Sequence, residues 1–125
     1  KTTAFLMNEK IDAGPIIMKK KLLLKGSIGE IIERMKKNDL EIIDKIILDN
    51  FKTKKQKGKS SIYKRRVPKE SEIFSLDHSK KYIYDFIRML EDPYPNAFLN
   101  LGKHKIIFKH AKLKNNKLSV EVEIE

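Results

Sequence analysis

A Gly-Pro turn that carries one carboxylate lies between two short apolar runs near the start of the chain. The turn reads Ile-Asp-Ala-Gly-Pro over residues 11–15, and the apolar runs are Ala4–Met7 and Pro15–Met18. Short apolar runs bounded by turn residues are typical of strands. The acidic side chain of Asp12 is then well placed for chemistry, because loops on a rigid sheet carry most functional sites. The alternative, which this segment alone favours, is that Asp12 only hydrogen-bonds its own turn.

The composition of the chain is that of one small domain with a modest core. The chain has 125 residues, of which 40% are hydrophobic, and it has 0 Cys, which rules out disulfides and Cys-ligated metals. No His/Glu spacing typical of a metal motif occurs. Lys19–Lys21 interrupts the longest apolar candidate for a membrane span. We therefore expect no metal site, no membrane partner and a cytoplasmic location.

Positive charge is concentrated in the middle of the chain. The formal net charge is +11, and every charged residue from position 52 to position 66 is basic: Lys52, Lys54, Lys55, Lys57, Lys59, Lys64, Arg65 and Arg66. Such a cluster attracts phosphates and releases their counterions on binding. The alternative is a solvated linker in a chain that is rich in Lys throughout.

The first half of the chain predicts two strands followed by a helix. The strands are expected over residues 2–7 and 16–24. A capping box, Ser-Ile-Gly-Glu at residues 27–30, predicts the start of a helix with an apolar stripe and a weak point near residues 37–39. Residues 51–61 lack periodicity and predict a connecting loop, and residues 63–73 should continue it in extended form.

The second half predicts one more helix and a small antiparallel sheet. Asp77 or Ser79 is expected to cap the helix, and Asp92-Pro93 to stop it. A hairpin is expected to turn at Gly102-Lys103 and a second turn at Asn115-Asn116. Apolar and polar residues alternate over residues 118–124, which predicts a strand with one face in water.

Three motifs in a fixed order add a family resemblance to this interpretation. They are Ile-Asp-x-Gly-Pro-Ile at residues 11–16, Tyr-x-Arg-Arg-x-Pro-x-x-Ser-x-Ile at 63–73, and Ile-Arg-x-Leu-x-Asp-Pro-Tyr-Pro-x-Ala-Phe at 87–98. The series resembles the 10-formyltetrahydrofolate-dependent formyltransferases, which include methionyl-tRNA formyltransferase and enzymes that formylate nucleotide-linked amino sugars. The resemblance runs from Thr2 to about Lys112.

This resemblance implies an α+β fragment, the C-terminal half of a Rossmann-like formyltransferase domain with a small C-terminal β subdomain. The expected divisions are the catalytic half over residues 1–51, a basic connecting loop over 52–76, and a helix with the β subdomain over 77–125. The family's catalytic Asn and His precede the Asp in the chain, whereas His78, His104 and His110 all follow Asp12. We therefore expect the N-terminal half of the enzyme to be a required partner, absent here or carried separately.

The resemblance also assigns roles to individual residues. Asp12 takes the place of the catalytic Asp, which orients and charges the family's His and helps to pass protons. The pterin pocket of the co-substrate 10-formyltetrahydrofolate would be lined by the main chain of the turn and its approach, namely Asn8, Glu9, Lys10, Ile11 and Gly14. Tyr63, Arg65 and Arg66 would meet the phosphates of the acceptor, or the arginines would pair structurally with Glu70 or Glu72.

The possible interpretations differ in the identity of the formyl acceptor. After the Pro-Tyr-Pro motif the chain has room for only a few strands, whereas methionyl-tRNA enzymes carry a substantial β-barrel there. This favours formyl transfer to a small-molecule amine, namely the amino group of a nucleotide-linked amino sugar. The alternative is tRNA as acceptor, in a methionyl-tRNA formyltransferase. A second alternative, from the basic residues alone, is a nucleic-acid-binding module without catalysis.

Overall fold

The computed structural model describes residues 1–48 and 51–125, which fold into two compact units. One unit comprises Lys1–Lys25 and Glu30–Tyr63, and the other comprises Gly26–Gly29 and Lys64–Glu125. The elements in chain order are β1 (Thr2–Phe5), β2 (Ile16–Lys20), α1 (Ile28–Leu48), a 3₁₀ helix (Pro68–Ser71), α2 (Lys80–Arg88), β3 (Ala97–Leu101), β4 (His104–Lys114) and β5 (Lys117–Ile124). The predicted α+β class is confirmed.

In the first unit, β1 and β2 form an antiparallel pair in which Thr2 faces Lys20 and Ala4 faces Met18. A bulge follows Ala4, and the strands are shorter than the predicted ranges 2–7 and 16–24. One further backbone bond, from Leu6 N to Pro15 O at 3.0 Å, extends the pairing up to the turn. The pair therefore ends where residues 7–14 must reverse the chain.

Helix α1 runs without interruption through the predicted weak point at residues 37–39. Asn38 does not compete for its own helix backbone, because its Nδ2 donates to Thr2 Oγ1 and to the carbonyl of Lys21, each at 3.1 Å. This contact offsets the low helix propensity of Asn. Of the predicted apolar stripe, Ile31 and Ile42 are buried, whereas Met35 and Ile43 are exposed.

The second unit is a three-stranded antiparallel sheet, ordered β3-β4-β5, with α2 packed against it. Ser79 caps α2, and its Oγ accepts from the backbone N–H of Tyr82 at 3.1 Å. Asn115 and Asn116 both have positive φ, as a two-residue hairpin between twisted strands requires. The core of this unit contains Ile73, Ile83, Ile87, Leu90, Ala97, Phe108 and Ala111.

Two details of the second unit differ from the predictions. Residues 68–71 form a 3₁₀ turn inside the segment expected to be extended, because Pro68 opens the turn and Glu70 caps it through Val67 N. In β5, Val122 and Ile124 on the expected apolar face are exposed. The helix α2 has 9 residues and is about 14 Å long, which is shorter than the strands it covers.

Candidate functional site

Asp12 lies at the tip of a tight turn, which we define as the Asp12 turn (Lys10–Pro15). The N–H of Ala13 donates to the carbonyl of Lys10 at 3.4 Å, and Asp12 has a φ of +53°. Asp is one of the few residues that tolerate this left-handed conformation. Its side chain is exposed, so the carboxylate is available to groups outside the first unit's core.

Gly14 is required by a close approach of two backbone segments rather than by an unusual φ. An added Cβ at Gly14 would lie 1.5 Å from the carbonyl oxygen of Leu6. The adjacent bond from Leu6 N to Pro15 O holds the segments at this separation. A side chain at position 14 would therefore push the Asp12 turn away from Leu6, in the segment that leads into it.

Gln56 clamps the Asp12 turn from the predicted connecting loop. Its Nε2 donates to the carbonyl of Asp12 at 2.7 Å and to the carbonyl of Gly14 at 2.8 Å. The loop is brought there by two backbone bonds of 2.8 Å between Lys54 and Ile16. No sequence motif pointed to Gln56, and the only signal available was an uncharged amide within a Lys-rich segment.

Four of the five residues predicted to line the pterin pocket are exposed. Asn8, Glu9, Lys10 and Ile11 are all exposed, whereas Gly14 is buried. Asn8 shapes the approach to the turn, since its Oδ1 accepts from Lys10 N at 3.0 Å. The apolar side chain of Ile11 lies almost entirely in solvent. The pterin-lining role of these residues stays a prediction.

Tyr63, Arg65 and Arg66 are exposed, and Arg66 is also held in place by its neighbours. The Arg66 Nη2 donates to the carbonyl of Glu70 at 2.6 Å, and the guanidinium carbon lies 5.5 Å from the centre of the Phe86 ring. The contact with Glu70 thus uses the main chain rather than the carboxylate. Arg65 and Arg66 belong to the second unit, and Asp12 belongs to the first.

A second polar group, around Arg88 of the third motif, has a structural role. Arg88 Nε donates to Asp85 Oδ1, and Arg88 Nη1 donates to the carbonyl of Gly26, both at 2.7 Å. Lys81 also pairs with Asp85. Burial by itself would raise the pKa of Asp85. The hydrogen bonds and charges of Lys81 and Arg88 have a larger, opposite effect, so the pKa lies below its ordinary value. The motif arginine therefore fastens α2 to the segment that precedes α1.

The described part of the chain shows neither a metal-binding group nor a membrane-spanning helix. Among residues 1–48 and 51–125, no cluster of three or more His, Asp or Glu side chains is arranged to hold a metal ion. No helix in these ranges is both long and apolar enough to cross a membrane.

Two comparisons with known proteins agree with each other. Residues 68–125 match the family model described as methionyl-tRNA formyltransferase, C-terminal domain. The structure is similar to that of a protein titled methionyl-tRNA formyltransferase from Clostridium thermocellum, with 37% sequence identity and a TM-score of 0.90. The match covers 98% of this chain and 55% of that one, so this chain spans about half the length of that relative. The resemblance predicted from the three motifs is confirmed.

Proposed function

We propose that this chain, which corresponds to the C-terminal portion of a formyltransferase, works within an enzyme that formylates the amino group of methionyl-tRNA. The formyl donor would be 10-formyltetrahydrofolate. The observation that carries the proposal is the structural match at 37% identity over 98% of the chain. Both units therefore have counterparts in a protein titled methionyl-tRNA formyltransferase.

The same match weakens the case for an amino-sugar acceptor. The reason to favour that acceptor was the small number of strands that follow the Pro-Tyr-Pro motif. The match includes nearly the whole chain, so the small sheet β3-β4-β5 has a counterpart in the relative. A short C-terminal sheet is thus no reason to reject tRNA. The exposed basic residues of positions 52–66 favour a polyanionic acceptor, because each neutralised phosphate adds to affinity.

In the proposed reaction, Asp12 is a positioning residue. The amine forms a bond to the formyl carbon, the bond from that carbon to the folate nitrogen breaks, and a proton moves from the amine to that nitrogen. By family resemblance, a His and an Asn outside this chain stabilise the intermediate oxyanion, and the Asp12 carboxylate orients and charges the His. The exposed carboxylate on a clamped turn supports this role.

The test compares acceptors with the complete enzyme, meaning this chain together with the additional part found in the relative. We expect 10-formyltetrahydrofolate to support formylation of methionyl-tRNA, with little or none of nucleotide-linked amino sugars. The 125-residue chain alone should be inactive, because catalytic groups that act as a unit fail together.

Two results would contradict the proposal. Efficient formylation of the amino sugar with none of the tRNA would restore the small-molecule acceptor. Salt-dependent RNA binding without folate binding or transfer to either acceptor would instead indicate a nucleic-acid-binding module.

A further inference from the structure

We propose that an aromatic cleft in the second unit binds an unpaired nucleobase of the RNA acceptor, an inference that rests on the proposed function. The aromatic cleft is formed by Phe74, His78, Tyr82 and Phe86, with Arg66 at one end. The sequence motifs assign none of these residues to nucleobase binding, and none belongs to the Asp12 turn.

The rings of the aromatic cleft follow one another at helical spacing. His78, Tyr82 and Phe86 are four residues apart, so they line one face of α2 and its N-terminal approach. The ring centres of His78 and Tyr82 are 4.5 Å apart, and those of Tyr82 and Phe86 are 6.1 Å apart with planes inclined by 23°. The planes of His78 and Tyr82 are inclined by 43°, so the three rings form a contiguous but stepped row, which we call the platform.

The His78 and Tyr82 end of the platform is exposed, whereas Phe86 is half-buried and packs against the core of the second unit. Ile83 and Ile87 of α2 are buried, whereas Tyr82 is 50% exposed and Phe74 is 73% exposed. Exposed rings beside a cleft provide the surface on which a base stacks, and this stacking tolerates any base because every base has a π-face. The core of the second unit does not require these two rings to be aromatic.

Charge beside the platform favours RNA over an uncharged aromatic ligand. The Arg66 guanidinium lies over Phe86 and is fixed by its bond to the Glu70 carbonyl, so binding costs it little further freedom. Lys64 and Arg65 precede it and are exposed. Glu72 also lines the cleft, and its Oε1 accepts a hydrogen bond from Asn100 Nδ2 at 2.7 Å. Rings next to one fixed cation and two exposed ones match the alternation of base and phosphate in a single strand.

The test measures formylation and binding by the complete enzyme carrying Tyr82→Ala, Phe74→Ala or both. We expect the double variant to raise the KM for methionyl-tRNA about tenfold or more, since base stacking contributes on that scale. The KM for 10-formyltetrahydrofolate should not change. Binding of a single-stranded oligouridylate of about eight nucleotides should weaken in parallel, and Tyr82→Phe should retain both properties.

Tyr94→Ala is the matched control, because Tyr94 is 48% exposed and lies outside the cleft. Unchanged tRNA KM and oligouridylate affinity in the folded double variant would overturn the proposal. The proposal would also be overturned if Tyr82→Phe lost as much tRNA and oligouridylate binding as Tyr82→Ala, since the loss would then not come from the missing ring. If the wild-type enzyme formylates no tRNA, the proposed acceptor is wrong, and the oligouridylate comparison still decides whether the cleft binds a base.

Discussion

The side-chain amide of Gln56 donates a hydrogen bond to the backbone carbonyl of Asp12, 44 positions earlier in the chain. A second bond from the same nitrogen reaches Gly14. The two bonds bridge the carboxylate-bearing tip and the buried end of the Asp12 turn. Gln56 therefore couples the start of the basic segment to the geometry of the proposed catalytic turn.

Replacing Gln56 with Glu should lower kcat of the complete enzyme by about tenfold and also lower its thermal stability. Glu has the same length but lacks the donor, and two hydrogen bonds contribute roughly 1–3 kcal/mol to holding the turn. Steady-state kinetics with both substrates test this. Lys37→Gln, which removes one positive charge at an exposed position of the same unit outside the basic segment, is the control. An equal kcat in Gln56→Glu and wild type would show that the clamp does not position Asp12.

Asp12→Asn should cut kcat by at least about 100-fold and leave the free energy of unfolding nearly unchanged. Asn has the same shape and also tolerates the positive φ at this position, so the substitution removes the charge and not the turn. The measurement is kcat alongside urea unfolding. A folded variant with normal kcat would show that Asp12 only stabilises its turn.

Gly14→Ala should lower the free energy of unfolding by roughly 1–3 kcal/mol or more, the scale of forced overpacking. The new methyl group would overlap the Leu6 carbonyl oxygen. Gly29→Ala is the control, because the nearest atom to an added Cβ there is Ser27 Oγ at 3.8 Å. We expect Gly29→Ala to be neutral or stabilising, and urea midpoints that are the same for both variants would contradict the argument.

Asp85→Asn should lower the free energy of unfolding at neutral pH. It should also make that free energy fall less steeply as the pH is lowered. The pKa of Asp85 is lowered in the folded state, so its carboxylate stabilises the fold above the unfolded pKa of about 4. That contribution disappears as the pH falls through the folded pKa. Unfolding measured from about pH 6 down to pH 2 should therefore show a shallower acid limb in the variant.

Lys81→Gln is the comparison for Asp85→Asn, since it leaves the bond from Arg88 to Asp85 in place. For Lys81→Gln we expect a slope of stability against pH in acid that lies between those of wild type and Asp85→Asn. An acid limb in Asp85→Asn as steep as that of wild type would assign the pH dependence to other carboxylates.

Changing Lys52, Lys54, Lys55 and Lys57 together to Gln should weaken binding of methionyl-tRNA and flatten its dependence on salt. The slope of log affinity against log salt should fall by roughly one unit for each phosphate that the variant no longer neutralises. The control removes the same charge from exposed positions of the second unit, at Lys103, Lys112, Lys114 and Lys117. Identical slopes for wild type and the variant at residues 52–57 would indicate that this segment is a solvated linker that contacts no phosphate.

The sequence by itself determined the elements whose causes are local. The sequence predicted a cap at Asp77 or Ser79, and Ser79 fills it because its hydroxyl reaches the Tyr82 N–H three residues later. Asn115-Asn116 turns the chain because Asn tolerates positive φ. The family motifs were likewise readable, since each is contiguous, and the comparisons confirm the relationship that they indicated.

Only the tertiary structure decided which distant residues support the proposed sites. Gln56 meets Asp12, and Arg66 lies over Phe86, through chain reversals that no local pattern encodes. The alternation in β5 correctly predicted a strand with one apolar face. It did not predict that Ile124 on this face is exposed, because burial depends on how much of the sheet the short helix α2 covers. Local chemistry fixes conformation over a few residues, whereas contacts between distant segments depend on the packing of the whole unit.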